Sequence, residues 1–300
     1  MRPQSAPLSR IIPRIKANNV VAQVPGQDDM SKKVVFIRAG GLGDFVLSLP
    51  ALIRALDLYD ETILFTRKSY FSLMSNDFDS LTLKDIDSDL DTLGQVLPGR
   101  DVISFWQDEE WKRELRTGEH GNLFFLEPRP TGNEPFARNM FSQLGWVWLD
   151  EYSKTAWLGD HWSGGDALLW VHPGSGSAKK NHPLTCFTEL ARQWLDSKTS
   201  KTVIFSFGEA DGEVYENFLK IDLSNDRRVR LVHSENLGEI RKLMLESSVF
   251  LGNDSGPGHL AASLGVPTHV VFRTTNRKVW APLGPRVETY ESFPEASKIL

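Results

Sequence analysis

The sequence predicts an α/β protein made of two Rossmann-like domains, and two observations carry that prediction. A short apolar run at residues 34–37 is followed by a glycine-rich loop and a helical pattern, which is how doubly wound domains begin. The same order of strand, glycine-rich loop and helix recurs after the apolar run at residues 167–171. Apolar runs without alternation are typical of strands buried on both faces, as in parallel sheets.

The remaining elements are predicted from apolar runs, helical spacing and breaker residues. In the first half, strands are predicted at residues 62–65 and 101–105, and a helix at 45–56 in which Pro50 kinks an early turn. In the second half, strands are predicted at residues 202–207, 230–232, 248–251 and 268–272, the last closing the series, and helices at 184–195, 214–219, 237–246 and 259–264. The acidic stretch at residues 77–91 cannot be assigned to a helix or to a strand from its sequence.

The amino-acid composition limits the classes of function that the protein can have. Of the 300 residues, 40% are hydrophobic and 24% charged, which is typical of a globular protein with a sizeable core. The net charge of -5 argues against a bulk nucleic-acid binder. The single cysteine, Cys186, allows no intrachain disulfide, and no apolar run approaches the ~20 residues that cross a bilayer. We therefore expect a cytoplasmic protein, a monomer, with no nucleic-acid partner.

The predicted domain boundaries follow breaks in composition. Residues 1–31 carry basic residues among prolines without an apolar segment, so they are interpreted as a disordered tail, with a membrane-surface tether as the alternative. Prolines, glycines and tryptophans crowd residues 127–165. We place an N-terminal domain at residues 32–155 and a C-terminal domain at 165–300.

Three loops carry candidate chemistry, and the first runs through Gly41, Gly43 and Asp44. It lacks the G-x-G-x-x-G spacing of dinucleotide-binding enzymes, which disfavours a nicotinamide or flavin cofactor. The glycines still let a ligand approach the backbone closely. Asp44 stands at the predicted helix start, where a structural N-cap is the alternative to a functional carboxylate.

The second loop, residues 172–183, offers the groups that bind phosphate. It holds hydroxyls at Ser175 and Ser177 and ammonium groups at Lys179 and Lys180, between a strand and a helix. It has no G-K-[ST] and is therefore not a P-loop. The alternative is a flexible surface loop with solvated lysines.

The third loop, residues 252–262, is dense in polar and small residues. Asp254, Ser255, Gly256 and His259 lie where a strand gives way to an Ala-rich helix, whose first N–H groups can bind an anion. Helix capping by Asp254 or Ser255, and a core role for His259, are the structural alternatives. The sequence contains no metal-ligand spacing, so neither a metal nor another cofactor is expected.

Together, these segments resemble the heptosyltransferase family, glycosyltransferase family 9. The similar segments are residues 42–52, 172–177, 253–267 and 279–284, in this order along the chain. The resemblance implies a GT-B fold, with two Rossmann-like domains facing a central cleft. It also implies an inverting, metal-independent transfer of a heptose or related sugar from an ADP-sugar. The implied acceptor is the lipopolysaccharide core or another glycan or glycolipid, which allows peripheral contact with the inner face of the inner membrane.

The resemblance also implies roles for individual residues. Asp44 would be the general base, and Lys180 would contact the donor diphosphate, with Ser175 and Ser177 nearby. The residues that would line the donor site are Asp254, Ser255, Gly256 and His259. An acidic residue after the strand ending at Phe207 would contact the nucleotide, and Asp211 and Glu213 compete for that place.

The chain departs from the family pattern at several positions. His182 stands where tryptophan is usual, Gly258 replaces a larger residue, and Arg273-Thr274-Thr275 replaces Gly-Pro-Thr. These changes leave the donor sugar and the acceptor open. Two other function classes remain as alternatives: a non-catalytic nucleotide-sugar binding module, and a nucleotide-sugar epimerase of similar fold.

Overall fold

The computed structural model describes residues 32–74, 80–159, 162, 164–165, 167–234 and 236–299. The predicted tail at residues 1–31 lies outside them. The chain forms two compact units. Of the described residues, the first unit holds those up to Gly40, Ser48–Thr131 and Ala137–Trp148, and the second holds Gly41–Leu47, Gly132–Phe136 and those from Leu149 onward. None of the described helices is both long and apolar enough to cross a membrane.

The first unit contains a parallel five-stranded sheet in the order β3-β2-β1-β4-β5. Its strands are β1 (Lys33–Ile37), β2 (Glu61–Thr66), β3 (Leu81–Asp85), β4 (Asp101–Ser104) and β5 (Leu123–Phe125). The helices in this half of the chain are α1 (Leu42–Leu58), α2 (Leu93–Val96), α3 (Glu109–Thr117) and α4 (Phe136–Gln143). Apolar side chains of β1, β2 and β4 pack with Leu93, Leu97 and Leu115 into its core.

The second unit contains a parallel six-stranded sheet in the order β11-β10-β9-β6-β7-β8. Its strands are β6 (Leu168–His172), β7 (Thr202–Ser206), β8 (Val229–Val232), β9 (Val249–Asn253), β10 (Thr268–Val271) and β11 (Val287–Tyr290). Its helices are α5 (Leu184–Ser197), α6 (Gly212–Leu219), α7 (Leu237–Leu245), α8 (Gly256–Ser263) and α9 (Arg277–Trp280). Phe187 and Trp194 of α5 pack with Phe205 and Phe218 in its core.

The predicted α/β class with two parallel-sheet domains is confirmed, but three strands were missed. The acidic stretch left unassigned contains β3, the short β5 was not predicted, and β10 does not close the series because β11 follows it. All three lie at sheet edges, where one side of the strand has no partner and burial is partial. The partly buried β3 and β11 mix polar and apolar residues and so lack the continuous apolar run that predicts a central strand. β5 is apolar throughout but only three residues long.

The start of α1 was also predicted wrongly. The helix begins at Leu42, not at residue 45, and runs for 17 residues with Pro50 in its interior. Phe45 N–H donates to Gly41 O at 3.0 Å, which makes Gly41 the N-cap. Gly40 has φ 129°, a backbone conformation that favours glycine, so the chain turns there and the helix starts directly afterwards.

Candidate functional site

The candidate site of the second unit lies at the carboxyl edge of its sheet. In the sheet order β11-β10-β9-β6-β7-β8, the two central strands are β6 and β9. Along the chain, β7 and β8 are added beyond β6 on one side of the sheet, and β10 and β11 are added beyond β9 on the other side. The loops that leave β6 and β9 therefore diverge at a topological switch point, where open α/β sheets bind ligands. These are the second and third candidate loops of the sequence.

A lysine and a carboxylate join these two loops. Lys180 Nζ lies 2.8 Å from Asp254 Oδ2, although the two residues are 74 positions apart. Thr275, in the loop after β10, donates to the same oxygen at 2.6 Å. Lys179, the neighbouring lysine, is exposed, so the structure distinguishes the two lysines that the sequence offered.

His259 completes this charged cluster from the first turn of α8. Its Nε2 lies 3.8 Å from Asp254 Oδ1, and both side chains are about 5% exposed. Burial raises the pKa of Asp254, but contacts with His259, Lys180 and Thr275 outweigh burial and hold that pKa well below its usual range. Asp254 is therefore ionised at neutral pH and fixes the position of the Lys180 ammonium group.

Asn253 holds the β6 loop against β9. Its side chain is fully buried, donates to Pro173 O at 2.7 Å and accepts from His182 N–H at 3.0 Å. Farther along the same loop, Ser175 Oγ lies 2.8 Å from Ser177 O and 2.6 Å from Asn181 Oδ1. The hydroxyl of Ser175 is thus engaged within the loop and gives it a defined shape.

The N-terminus of α8 has no side-chain cap among the described residues. Ser255 occupies the N-cap position, but no side chain caps the helix, and the Ser255 hydroxyl donates to Asn253 O at 3.1 Å instead. Asp254 is engaged with Lys180, so neither residue caps the helix as the structural alternative supposed. Within this turn Pro257 has no N–H and Gly258 N–H donates to Ser255 O at 3.1 Å, which leaves the N–H of Gly256 as the group that could bind an anion. Lys180 lies beside this turn through its contact with Asp254.

Asp211 and Glu213, the two competing acidic residues, differ sharply in their surroundings. Glu213 is exposed, whereas Asp211 is 3% exposed and accepts from Gly208 N–H at 2.7 Å. Its Oδ1 has no hydrogen-bond partner among the described residues and packs against Gly174, where a Cβ atom would lie 2.0 Å from that oxygen. The structure therefore requires glycine at position 174 and directs Asp211 into the protein under the β6 loop.

His172 links Asp211 to the sheet. Its Nε2 lies 3.4 Å from Asp211 Oδ2, and its Nδ1 lies 3.0 Å from Ser206 Oγ. Trp170 Nε1 donates to the same serine oxygen at 2.7 Å. Burial lowers the pKa of His172 despite the opposing effects of Asp211 and Ser206, so the imidazole is neutral at neutral pH.

Asp44 lies in the first turn of α1, three residues after the N-cap position that the structural alternative requires. The half-buried carboxylate accepts a hydrogen bond from the N–H of Gly41, the N-cap residue, at 3.3 Å. That geometry is one half of a capping box, in which the third helical residue reaches back to the N-cap. Asp44 thus supports the start of α1, and its carboxylate lies at the N-terminal end of that helix.

Gly43 brings this first turn against α8 within the second unit. A Cβ atom at Gly43 would lie 2.8 Å from His259 Cδ2, and one at Gly256 would lie 2.8 Å from Leu42 Cβ. Both glycines are therefore required by close packing of two helix starts. Gly41, by contrast, is not required by packing, since a Cβ atom there would have Asp44 Oδ2 as its nearest neighbour, at 3.9 Å.

The loop after β10 contributes residues that sequence reasoning missed. Besides Thr275, Arg273 donates to Asn181 O at 2.7 Å and so touches the β6 loop. An open depression of about 370 Å³ is lined by residues 272–277 and Glu291. The only signal in the sequence was that this loop directly follows an apolar run at residues 268–272, and the sequence does not show that the strand lies beside β9.

Of the predicted site residues, the structure gathers Gly43, Lys180, Asp254, Gly256 and His259 at one place. Ser255 lies in the same helix start. Ser175 and Ser177 lie within the β6 loop, and Asp211 lies beneath that loop in contact with His172. No group of three or more side chains suited to a metal ion occurs in the described part of the chain.

Comparison with known proteins identifies a family for the second half of the chain. A model of glycosyltransferase family 9 (heptosyltransferase) matches residues 148–298, just over half of the 300 residues. The match contains the β6 loop, the start of α8 and the loop after β10. A comparison with curated protein sequences gives no match.

Solved structures similar to this chain extend over both of its halves. A family 9 glycosyl transferase from Veillonella parvula has 17% identity and a TM-score of 0.64, covering 91% of each chain. The E. coli heptosyltransferase WaaC with ADP has 14% identity and a TM-score of 0.65, covering 89% of this chain and 96% of that one. E. coli ADP-heptose LPS heptosyltransferase II has 18% identity and a TM-score of 0.59, covering 86% and 89%. At these identities the likeness establishes a common fold.

Proposed function

The chain belongs to glycosyltransferase family 9, the heptosyltransferase family, and from that premise we propose that it transfers heptose from ADP-heptose to a glycan acceptor with inversion. Glycosyltransferase activity follows from the family. The ADP-linked donor, the inverting mechanism, the acceptor and the roles of the site residues are the proposal. WaaC, a solved protein of the same fold, contains ADP in its structure.

The observation that carries the proposal is the Lys180–Asp254 pair at the uncapped start of α8. A nucleotide diphosphate is a good leaving group that needs stabilisation of its charge rather than a proton. Lys180 has three N–H donors, and the contact with Asp254 uses one of them. The other two, with the N–H of Gly256 at the start of α8, would bind the diphosphate as it departs.

We propose Asp44 as the general base that takes the proton of the acceptor hydroxyl. In an inverting transfer the base acts on the side of the sugar opposite the leaving group. The Gly43–His259 packing supports this role, because it sets the helix turn that carries Asp44 beside the helix start that would bind the leaving group. Asp254 does not suit the same role, because it is already paired with Lys180.

The remaining expectations belong to the same proposal. The acceptor would be the lipopolysaccharide core or a related glycan, and the protein would act in the cytoplasm as a monomer at the inner face of the inner membrane. Asp211 is the better candidate than Glu213 for supporting the nucleotide site, because its buried carboxylate packs against the β6 loop at Gly174, whereas Glu213 is exposed. No cofactor would be needed, because Lys180 and the α8 start supply the positive charge.

Donor binding tests the proposal directly. Thermal unfolding is measured with ADP, UDP, GDP and CMP, each with and without EDTA. ADP at ~100 times its dissociation constant should stabilise the protein by about 2.7 kcal/mol, more than the other nucleotides, and EDTA should not change the shift. Equal or absent shifts for all four nucleotides would contradict the ADP-sugar donor. Transfer from ADP-heptose to deacylated lipopolysaccharide, followed by mass spectrometry, then tests the acceptor.

A further inference from the structure

The loop after β4 lies at the switch point of the first sheet. In the order β3-β2-β1-β4-β5, the chain runs outward from β1 on one side and from β4 on the other. Ile37 pairs with Ser104 at the ends of these two strands, and the loops that follow them diverge. Ligands of open α/β sheets bind at such a place. None of the residues placed in the site so far comes from the loop after β4.

This loop presents an exposed indole. Trp106 is 37% exposed, and it is the one aromatic residue among the large hydrophobic side chains found exposed in the described part of the chain. Trp111, in the first turn of α3, stacks on it with ring centroids 5.0 Å apart and an interplanar angle of 27°. Because Trp111 covers one face of the indole, the exposed area lies on the other face and on the ring edge.

Hydrogen bonds hold the chain on both sides of the indole. Trp106 N–H donates to Ser104 Oγ at 3.2 Å, and the next side chain, Gln107, donates to Leu126 O at 2.7 Å. Asp108 then caps α3 by accepting from Trp111 N–H at 2.9 Å. The loop is therefore fixed on the ends of β4 and α3, and little conformational entropy remains to be lost when a ligand binds to the indole.

A fixed, exposed aromatic face suits one ligand chemistry in particular. Pyranose rings carry faces of C–H bonds with partial positive charge, and the face of an aromatic ring is negative. We infer that Trp106 is a stacking platform for a saccharide ring of the acceptor, an inference that rests on the proposed glycosyl transfer. The adjacent charged residues are Asp108, Glu109, Glu110, Lys112 and Arg113. These sequence neighbours carry a net charge of -1, which favours an uncharged ring over an anionic one.

The platform is tested on the full chain labelled with 5-fluorotryptophan. The fluorine resonance of Trp106 is assigned by its absence in Trp106→Phe. Two neutral probes, methyl hexopyranoside and methyl heptopyranoside, and deacylated lipopolysaccharide core oligosaccharide are then added to the ADP-loaded protein. At least one should shift the Trp106 resonance. Absence of a shift from all three, at the highest soluble concentration, overturns the inference.

Transfer kinetics provide a second readout. Trp106→Ala should raise the KM for the saccharide acceptor about tenfold, a loss of about 1.4 kcal/mol, with little change in kcat, whereas Trp106→Phe should recover most of the affinity. Leu219→Ala is the matched control, because Leu219 is similarly exposed at 41% and lies in α6. An acceptor KM unchanged in Trp106→Ala overturns the inference, as does an equal change in Leu219→Ala.

Calorimetric titration with ADP on the same samples separates this inference from the proposed function. If ADP does not bind the wild-type protein, the proposed donor is wrong. If ADP binds and the Trp106 resonance does not respond to saccharide, the donor proposal stands and only the platform is wrong. Melting temperatures of all variants exclude unfolding as the cause of a loss.

Discussion

Replacing Gly43 by alanine tests whether the start of α1 must pack against His259. A Cβ atom at this position lies 2.8 Å from His259 Cδ2, 3.3 Å from His259 Nε2 and 3.6 Å from Gly256 Cα. His259 is 4% exposed, so its ring has little room to move aside. The first turn of α1, which carries Asp44, must therefore shift away from α8.

The magnitudes predict a folded protein with impaired turnover. Overpacking costs about 1–3 kcal/mol, and alanine in place of a helical glycine returns about 0.5–1 kcal/mol, so the net destabilisation is about 0–2.5 kcal/mol. A misplacement of 1 Å at a catalytic group costs about 10²-fold in rate. We expect kcat to fall about 10- to 100-fold as Asp44 moves with the helix turn.

The assay measures urea unfolding and transfer rate side by side for Gly43→Ala and a control. Gly94→Ala is the matched control, because Gly94 also lies in a helix and a Cβ atom there meets nothing within 4 Å. The control should keep wild-type turnover. A Gly43→Ala enzyme with wild-type turnover would refute the reasoning, since it would show that this packing does not position Asp44.

Two further predictions concern the charged and buried groups of the second unit. Lys180→Ala should weaken ADP binding by about 1.5–3 kcal/mol and leave adenosine binding unchanged, while the exposed Lys179→Ala should be nearly silent in calorimetry; a larger loss in Lys179→Ala would contradict the assignment. The pKa of His172 is lowered from 6.5 on folding, so the unfolded chain binds the proton more readily and stability falls as pH drops below about 6.5. The free energy of unfolding should therefore decline toward pH 5.5, by at most about 1.4 kcal/mol per pH unit from this group, and less steeply in His172→Asn; equal slopes in the two proteins would contradict this account.

The central strands were predictable because burial on both faces leaves a continuous apolar run. This holds for β1, β6 and β9, whose positions also located the three candidate loops. The edge strands β3 and β11 were not predictable in this way, because they mix polar and apolar residues. β5 is apolar throughout, but its three residues are too few to distinguish a strand by pattern. The start of α1 was missed because Leu42, Gly43 and Asp44 resemble a continuation of the glycine-rich loop. Of the three glycines at positions 40, 41 and 43, however, only Gly40 has a positive φ.

The candidate site was predictable as a set of loops and not as a set of contacts. Strand-to-helix transitions marked the loops that carry Lys180 and Asp254, but their pairing across 74 residues depends on β6 and β9 being neighbours in the sheet. Thr275 was missed for the same reason, because only the position of β10 beside β9 brings its hydroxyl to Asp254. The choice between Asp211 and Glu213 needed burial, which their two-residue spacing could not provide.

The central claim is that Asp44 is the general base, and Asp44→Asn tests it most directly. The asparagine side chain keeps an oxygen that accepts from Gly41 N–H, so the helix start and the melting temperature should be preserved. ADP binding should also be unchanged, because the proposed diphosphate contacts come from Lys180 and α8. Turnover should fall by roughly 10²–10⁴, the usual contribution of a positioned base. A stable Asp44→Asn protein that transfers sugar at the wild-type rate would contradict the claim and leave Asp44 as a residue that only supports the helix.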